Sequence, residues 1–285
     1  MKVIRNKELE IKTHKRSVVY DIYIPPHQKK SKAVIFLHGF KGYKNWGYFP
    51  LACKQIAQQL NIPLIALNFS HNGTDAQHPS EFVDLEAFGL NTFSHELDDV
   101  QHIIEHISCG KEAILGSISS FAIIGHSRGG STAMLSAMKF SEVKTCVTWA
   151  AVVNIVNRYG KKDRSEFLEK GVKYITNGRT GQEMPIYRTL SDDILKNEVD
   201  YDLTKILIDL DKPILCLHGS GDEAVSVEEM RLLPEHFKKK IIEGANHTFG
   251  GKEPWEDKNI PTDALILVNE TVQFLKELFI QKDML

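Results

Sequence analysis

Five runs along the chain are apolar on consecutive positions: AVIFLHG (33–39), IPLIALNFS (62–70), FAIIG (121–125), TCVTWAAV (145–152) and PILCLHG (213–219). A strand that buries both faces has no polar alternation, so these runs predict the parallel strands of a covered sheet. A sixth run, KKIIEGANH, ends at His247. Between the runs the spacing changes to the helical one, over 48–60, 93–107, 129–140 and 262–282. Strand and helix therefore alternate, which predicts a parallel sheet with helices on both sides. Residues 8–24 differ, because polar and apolar positions take turns there as in a two-stranded antiparallel opening.

The rhythm breaks over residues 153–211. Short charged segments, KKDRSEFLEKG and MPIYRTLSDDILKN, flank a glycine-containing TNGRTGQ. The pieces read as helical, and the stretch is too short and polar for its own core. It is expected to be an insertion rising above the sheet of a single domain spanning 1–285.

A ligand in an open α/β sheet sits beyond the carboxyl ends of the strands. The predicted strands run out into HGFKG, HNGTD, HSRGG, SGDEA and His247-Thr-Phe-Gly-Gly. Gly125-His126-Ser127-Arg128-Gly129 is a G-x-S-x-G pentapeptide between a strand run and a helix run. Such a turn lifts the serine hydroxyl out of the sheet, and side chains at the two glycines would collide. A serine hydroxyl needs a base, and the base needs an orienting group. Asp222 and His247 fall at the same sheet edge in the order Ser, Asp, His, whereas Asp209 and Asp211 lie before the fifth strand. Glu223 is the alternative to Asp222 by adjacency. The developing oxyanion would be held by the backbone amides of Phe40, in HGFKG, and of Arg128, each such donor contributing on the order of 3 kcal/mol.

The segments HGFKGYKNWGYFP, NFSHNG, GHSRGG, HGSGDEAV and GANHTFG together resemble the α/β-hydrolase superfamily, in its dienelactone-hydrolase and feruloyl-esterase-like branch. The resemblance runs from about residue 17 to 280. It implies an eight-stranded, mostly parallel sheet flanked by helices, with a lid inserted after TCVTWAAV, where 153–211 begin. Dienelactone hydrolases proper use a cysteine nucleophile. Ser127 stands in that place here, which counts against a lactonase assignment.

The expected activity is hydrolysis of a small to medium carboxylic ester through an acyl-enzyme on Ser127, with no metal or organic cofactor. A small-peptide serine aminopeptidase of the prolyl-oligopeptidase type and a non-catalytic binding protein of the same fold are the alternatives. Lys41, His71 and Trp149 are the candidate substrate contacts, with Trp46, Tyr48, Phe49 and Asn72 near them. Arg128 carries a charge that its amide's role does not need. Its guanidinium is expected either to pair with a carboxylate such as those of Asp84-Leu85-Glu86 or to face the pocket.

Composition removes other classes. With 285 residues, 42% hydrophobic and 25% charged, the chain can bury a sizeable core. A net charge of −2 without a basic stripe gives no electrostatic reason for a nucleic-acid partner; Lys238–Lys240 are expected on a solvated face. The start has no secretory apolar stretch and no run is long enough to span a membrane, so a cytoplasmic location without a membrane partner is expected. The sequence leaves the oligomeric state open. Cys53, Cys109, Cys146 and Cys216 form no CxxC pair and read as reduced thiols. His102-Ile-Ile-Glu-His106 matches a zinc-binding spacing, but Ile103, Ile104 and Ile107 make the core stripe of a helix, so the two histidines are read as belonging to a surface helix.

Overall fold

The chain opens on an antiparallel pair, β1 (Lys2–Ile11) and β2 (Arg16–Ile24), in a computed structural model that describes residues 1–28 and 31–280. The alternating elements follow in chain order: β3 (Ser31–Leu37), α1 (Phe49–Leu60), β4 (Leu64–Asn68), α2 (Leu85–Leu90), α3 (Phe93–Ser108), β5 (Ile118–His126), α4 (Arg128–Lys139) and β6 (Val143–Trp149). Then come a π-helical turn (Val156–Lys161), α5 (Arg164–Lys170), β7 (Val172–Thr176), β8 (Glu183–Tyr187), α6 (Arg188–Lys196) and α7 (Leu203–Ile206). The chain rejoins the sheet with β9 (Ile214–Gly219), α8 (Glu228–Arg231), β10 (Lys238–Ile242) and α9 (Thr262–Leu275), which continues into the π-helical Lys276–Ile280. Residues 281 and 282 of the predicted last helix lie outside the described residues.

Eight strands form one sheet in the order β1-β2-β4-β3-β5-β6-β9-β10. β4 through β10 of that order run parallel, and β2 joins β4 antiparallel. The strand register explains the unbroken apolar runs. Ala33, Ile35 and Leu37 enter the core beneath α3 and α4, while Val34 and Phe36 enter the one beneath α1 and α9. β5 divides in the same way, with Phe121 and Ile123 on one side and Ala122 and Ile124 on the other. All of these are fully buried, and each of the larger ones, the alanines aside, contributes about 1.5–3 kcal/mol.

Two helix starts are fixed by their caps. Thr92 Oγ1 accepts from the His95 amide at α3, and Asp84 from the Ala87 amide at α2. Between β6 and β9 the predicted all-helical reading needs correction. β7 and β8 form a separate antiparallel hairpin around the TNGRTGQ turn, and only Arg188–Lys196 of the second charged segment is helical. The hairpin is held because Met184 is buried with Tyr43, Phe82 and Phe88 in a small cluster of its own. Among the described residues no helix is long and apolar enough to cross a membrane. The four cysteines are free, three of them buried and Cys109 exposed.

Candidate active site

Ser127 sits between the end of β5 and the first residue of α4, with φ 55° and ψ −121°. A non-glycine residue at positive φ is strained, and surrounding bonds must hold it there. The Ser127 amide donates to Trp149 O at 2.8 Å, and Ser127 O accepts from the Gly130 amide at 2.9 Å. The glycines on either side are required by contact. A Cβ on Gly125 would lie 2.1 Å from Gly129 O, and one on Gly129 would lie 2.4 Å from His38 O.

The three expected partners meet. His247 Nε2 is 3.0 Å from Ser127 Oγ, and His247 Nδ1 is 2.7 Å from Asp222 Oδ2. The remaining capacity of the Asp222 carboxylate is filled by its own turn: Oδ1 accepts from the amides of Ala224 and Val225, each at 2.9 Å. His218, at the end of β9, brings Nε2 to 3.1 Å from Asp222 Oδ2 and 2.9 Å from Val225 O. Burial alone would raise the Asp222 pKa. The hydrogen bonds from His218, His247 and the Val225 amide outweigh it and hold the carboxyl well below its usual range. Asp222 therefore stays ionised and fixes the His247 ring with Nδ1 protonated, leaving Nε2 to face the hydroxyl. Glu223, the adjacent alternative, is exposed.

Two further histidines hold the framework. His126 Nε2 donates to the backbone oxygen of His247 at 2.9 Å. Burial, with the neighbouring His247, pushes the His126 pKa down to about 3, so it is a neutral, fixed donor. His38 Nδ1 donates to Gly39 O at 2.8 Å, and Gly42 N donates to the same oxygen at 3.0 Å. Burial lowers the His38 pKa to about 4. These bonds close the HGFKG turn around Gly39. Lys44 ties the far side of the loop to the sheet: its amide donates to Asn68 Oδ1 at 2.6 Å, and its buried ammonium pairs with Asp21 at 2.8 Å. Among the described residues, the amides of Phe40 and Arg128 donate to no other group of the chain. A free pair of amides flanking the serine is what an oxyanion would need.

A cavity of about 230 Å³ opens on Ser127 and His247. Its walls include Phe40, Lys41, Trp46, Phe49 and Asn177. Lys41, Trp46 and Phe49 thus stand where the sequence suggested. The other four residues named from the sequence do not. Trp149 is fully buried beneath the sheet, packed on Phe36, with its Nε1 donating to Thr271 Oγ1 at 3.0 Å. His71 turns away toward α3, where its ring stacks on His95 at 3.9 Å and Nδ1 meets Ser70 Oγ at 2.8 Å. Tyr48 is likewise fully buried, and Asn72 braces the loop through Gly42 O and His38.

Arg128 pairs with a carboxylate, as one of the two alternatives expected, but the partner is not in Asp84-Leu85-Glu86. Its guanidinium is 2% exposed and pairs with the buried Glu96 of α3, Nε to Oε1 at 2.7 Å. Asp84 pairs instead with Arg16. Asn177, on the turn of the β7–β8 hairpin, was absent from the sequence candidates because that segment reads as helix and loop. His218 carried a visible signal, lying four residues before Asp222 across a strand end. On α3, Ile103, Ile104 and Ile107 are buried, while His102 bonds to Asp98 and His106 to Glu112, two separate tethers. Among the described residues no group of His, Cys, Asp and Glu is arranged to hold a metal ion.

No protein-family model matches the chain. Among curated proteins it is similar to Ethanol acetyltransferase 1 of Eremothecium cymbalariae, 26% identical over 147 residues. That match covers 48% of this chain and 35% of the relative, so it spans about a third of the relative's length. Among solved structures it is similar to Est1E from Butyrivibrio proteoclasticus, with TM-score 0.65 and 14% identity over 96% of this chain and 99% of that one. Alpha/beta hydrolase domain-containing protein 10 from mouse gives TM-score 0.68 and 16% identity over 96% and 100%. A monoacylglycerol lipase from Paleococcus ferrophilus gives 0.65 and 14% over 91% and 98%. At these identities the structural likeness defines the fold.

Proposed function

We propose that this chain, which has the α/β-hydrolase fold, is a serine carboxylesterase. The observation that carries the reading is the relay of Ser127 Oγ, His247 Nε2 and Asp222 Oδ2, with spacings of 3.0 and 2.7 Å, at the wall of a cavity. Ser127 Oγ attacks the ester carbonyl carbon as its proton passes to His247 Nε2. Asp222 balances the imidazolium, and the Phe40 and Arg128 amides hold the oxyanion. The tetrahedral adduct collapses, its C–O bond to the alcohol breaks, and His247 returns the proton to the departing oxygen. Water, deprotonated by His247, then attacks the acyl-serine and releases the acid, while the proton restores Ser127. The monoacylglycerol lipase among the structural neighbours supports ester chemistry on this fold.

The same acyl-serine can be captured by an alcohol in place of water, which gives a new ester. The similarity to an ethanol acetyltransferase favours this second outcome.

Fluorophosphonate labelling and turnover of an ester panel of graded acyl length test the proposal, with ethanol added to half of the assays. Labelling at Ser127 and loss of turnover in Ser127→Ala are expected. Full turnover by Ser127→Ala would overturn the serine mechanism, and the ratio of ethyl ester to free acid separates transfer from hydrolysis.

A further inference from the structure

The polar side chains on the cavity wall are one-sided. His126 and His247 are committed to each other and to the triad, and Thr248 Oγ1 donates to Gly251 O at 2.7 Å. Outside these, the wall residues that carry polar side chains are the exposed Lys41, the half-buried Trp46 and the buried Asn177. Asn177 is oriented by its own turn: its Oδ1 accepts from the Arg179 amide at 3.1 Å, which leaves the Nδ2 donors over. Among the described residues, Lys41 Nζ, Trp46 Nε1 and Asn177 Nδ2 have no partner in the chain, and no acidic side chain lines the cavity. Three unused donors, one of them a full positive charge, stand beside two free oxyanion amides. A neutral hydrocarbon group would cover the Trp46 and Asn177 donors without offering them acceptors, whereas a carboxylate accepts several hydrogen bonds at once and meets the charge of Lys41.

Resting on the esterase reading, we infer that the preferred substrates are esters that carry a carboxylate close to the scissile carbonyl, such as half-esters of short dicarboxylic acids. Lys41 supplies the charge and Asn177, from the hairpin, an orienting donor. The cavity of about 230 Å³ is larger than the roughly 150 Å³ that encloses a benzene ring, which suits a short acyl chain ending in a carboxylate. The Arg128 guanidinium plays no part, since Glu96 already neutralises it out of reach of the cavity.

The test compares monoethyl glutarate with its neutral isostere, in which an isopropyl group replaces the carboxylate, on wild type, Lys41→Met, Asn177→Leu and Ser127→Ala. Wild type is expected to favour the charged ester by about tenfold in kcat/KM, chiefly through KM, equivalent to about 1.4 kcal/mol. Raising the salt concentration should erode that ratio, because the ammonium is solvent-accessible. Lys41→Met should bring the ratio close to one, and Asn177→Leu should lower it in the same direction. A wild type that cleaves the two esters equally, prefers the neutral one, or cleaves neither overturns the inference, as does a Lys41→Met variant that keeps the preference. Undiminished turnover by Ser127→Ala is a separate failure, that of the serine mechanism.

Discussion

Arg128 Nε lies 2.7 Å from Glu96 Oε1, with both side chains 2% exposed, so the charged residue after the serine is spent inside the protein. Its guanidinium also lies 4.4 Å from the Phe93 ring centre and 5.5 Å from that of Tyr159. Glu96 is further held by Thr132 Oγ1 at 2.6 Å and Asn91 Nδ2 at 3.0 Å. The first turn of α4, whose leading amide is an oxyanion donor in the proposed mechanism, is thereby locked to α3.

Removing one partner of such a pair strands a buried charge, which costs about 3–5 kcal/mol. Arg128→Met is expected to lose that much in denaturant unfolding, and adding Glu96→Leu to it should recover most of the loss. The ratio of kcat/KM between charged and neutral esters should stay that of the wild type, because the guanidinium does not face the cavity. A shift in that ratio at unchanged stability would contradict the assignment.

Asp222 offers a prediction in pH. Its folded-state pKa is depressed, so the unfolded chain binds the proton more readily, and the stability Asp222 contributes is present above the unfolded value of about 3.9. It is lost as pH falls from there through the lower folded-state pKa. Wild type should exceed Asp222→Asn in unfolding free energy at neutral pH, with the gap closing below about pH 4. In activity, Asp222→Asn should lower kcat by about 10⁴, since the amide no longer selects the His247 tautomer that accepts from the serine.

Much of this site was legible because the three side chains of the proposed relay come within one, three and five residues of strand ends, and strand ends are readable from unbroken apolar runs. Ser127, Asp222 and His247 needed only that placement. Trp149 occupied an equally legible position, yet alternation along β6 decides which face a side chain takes, and it points into the core. Arg128 could not be paired from sequence because Glu96 belongs to a different helix, and the turn from β5 into α4 determines which carboxylate it meets. The hairpin carrying Asn177 was missed for a related reason. Its strands have five residues each and are stabilised by contacts with Phe82 and Phe88, not by their own pattern.

His126 is expected to act through the base, as a positioning residue. It donates to His247 O, so replacing it with Phe keeps a ring in place and removes the donor. A lost hydrogen bond of about 1 kcal/mol predicts a fall of roughly fivefold in kcat with little change in KM. With its pKa down at about 3, the residue carries no charge across the working range, so the pH–rate profile of His126→Phe should keep the shape of the wild type. A profile that moves would mean that His126 titrates in the reaction.

Gly129 links the serine turn to the strand end that leads into the HGFKG loop by contact alone. A Cβ there would meet His38 O at 2.4 Å and Leu37 O at 2.6 Å, both backbone atoms at the end of β3 that no side-chain rotation can move aside. Gly129→Ala must push α4 away from the strand that leads into Phe40, at a cost of at least about 1–3 kcal/mol by overpacking. The same displacement separates the amides of Phe40 and Arg128, and losing one oxyanion donor lowers kcat by about 10²–10³. Gly129→Ala is therefore expected to unfold at a lower temperature and, where still folded, to bind substrate with a nearly unchanged KM while turning it over at least a hundredfold more slowly. Gly178→Ala in the hairpin turn, with nothing within 4 Å of its added methyl, should leave the melting temperature within a degree or two and so separates steric conflict from the general cost of replacing a glycine.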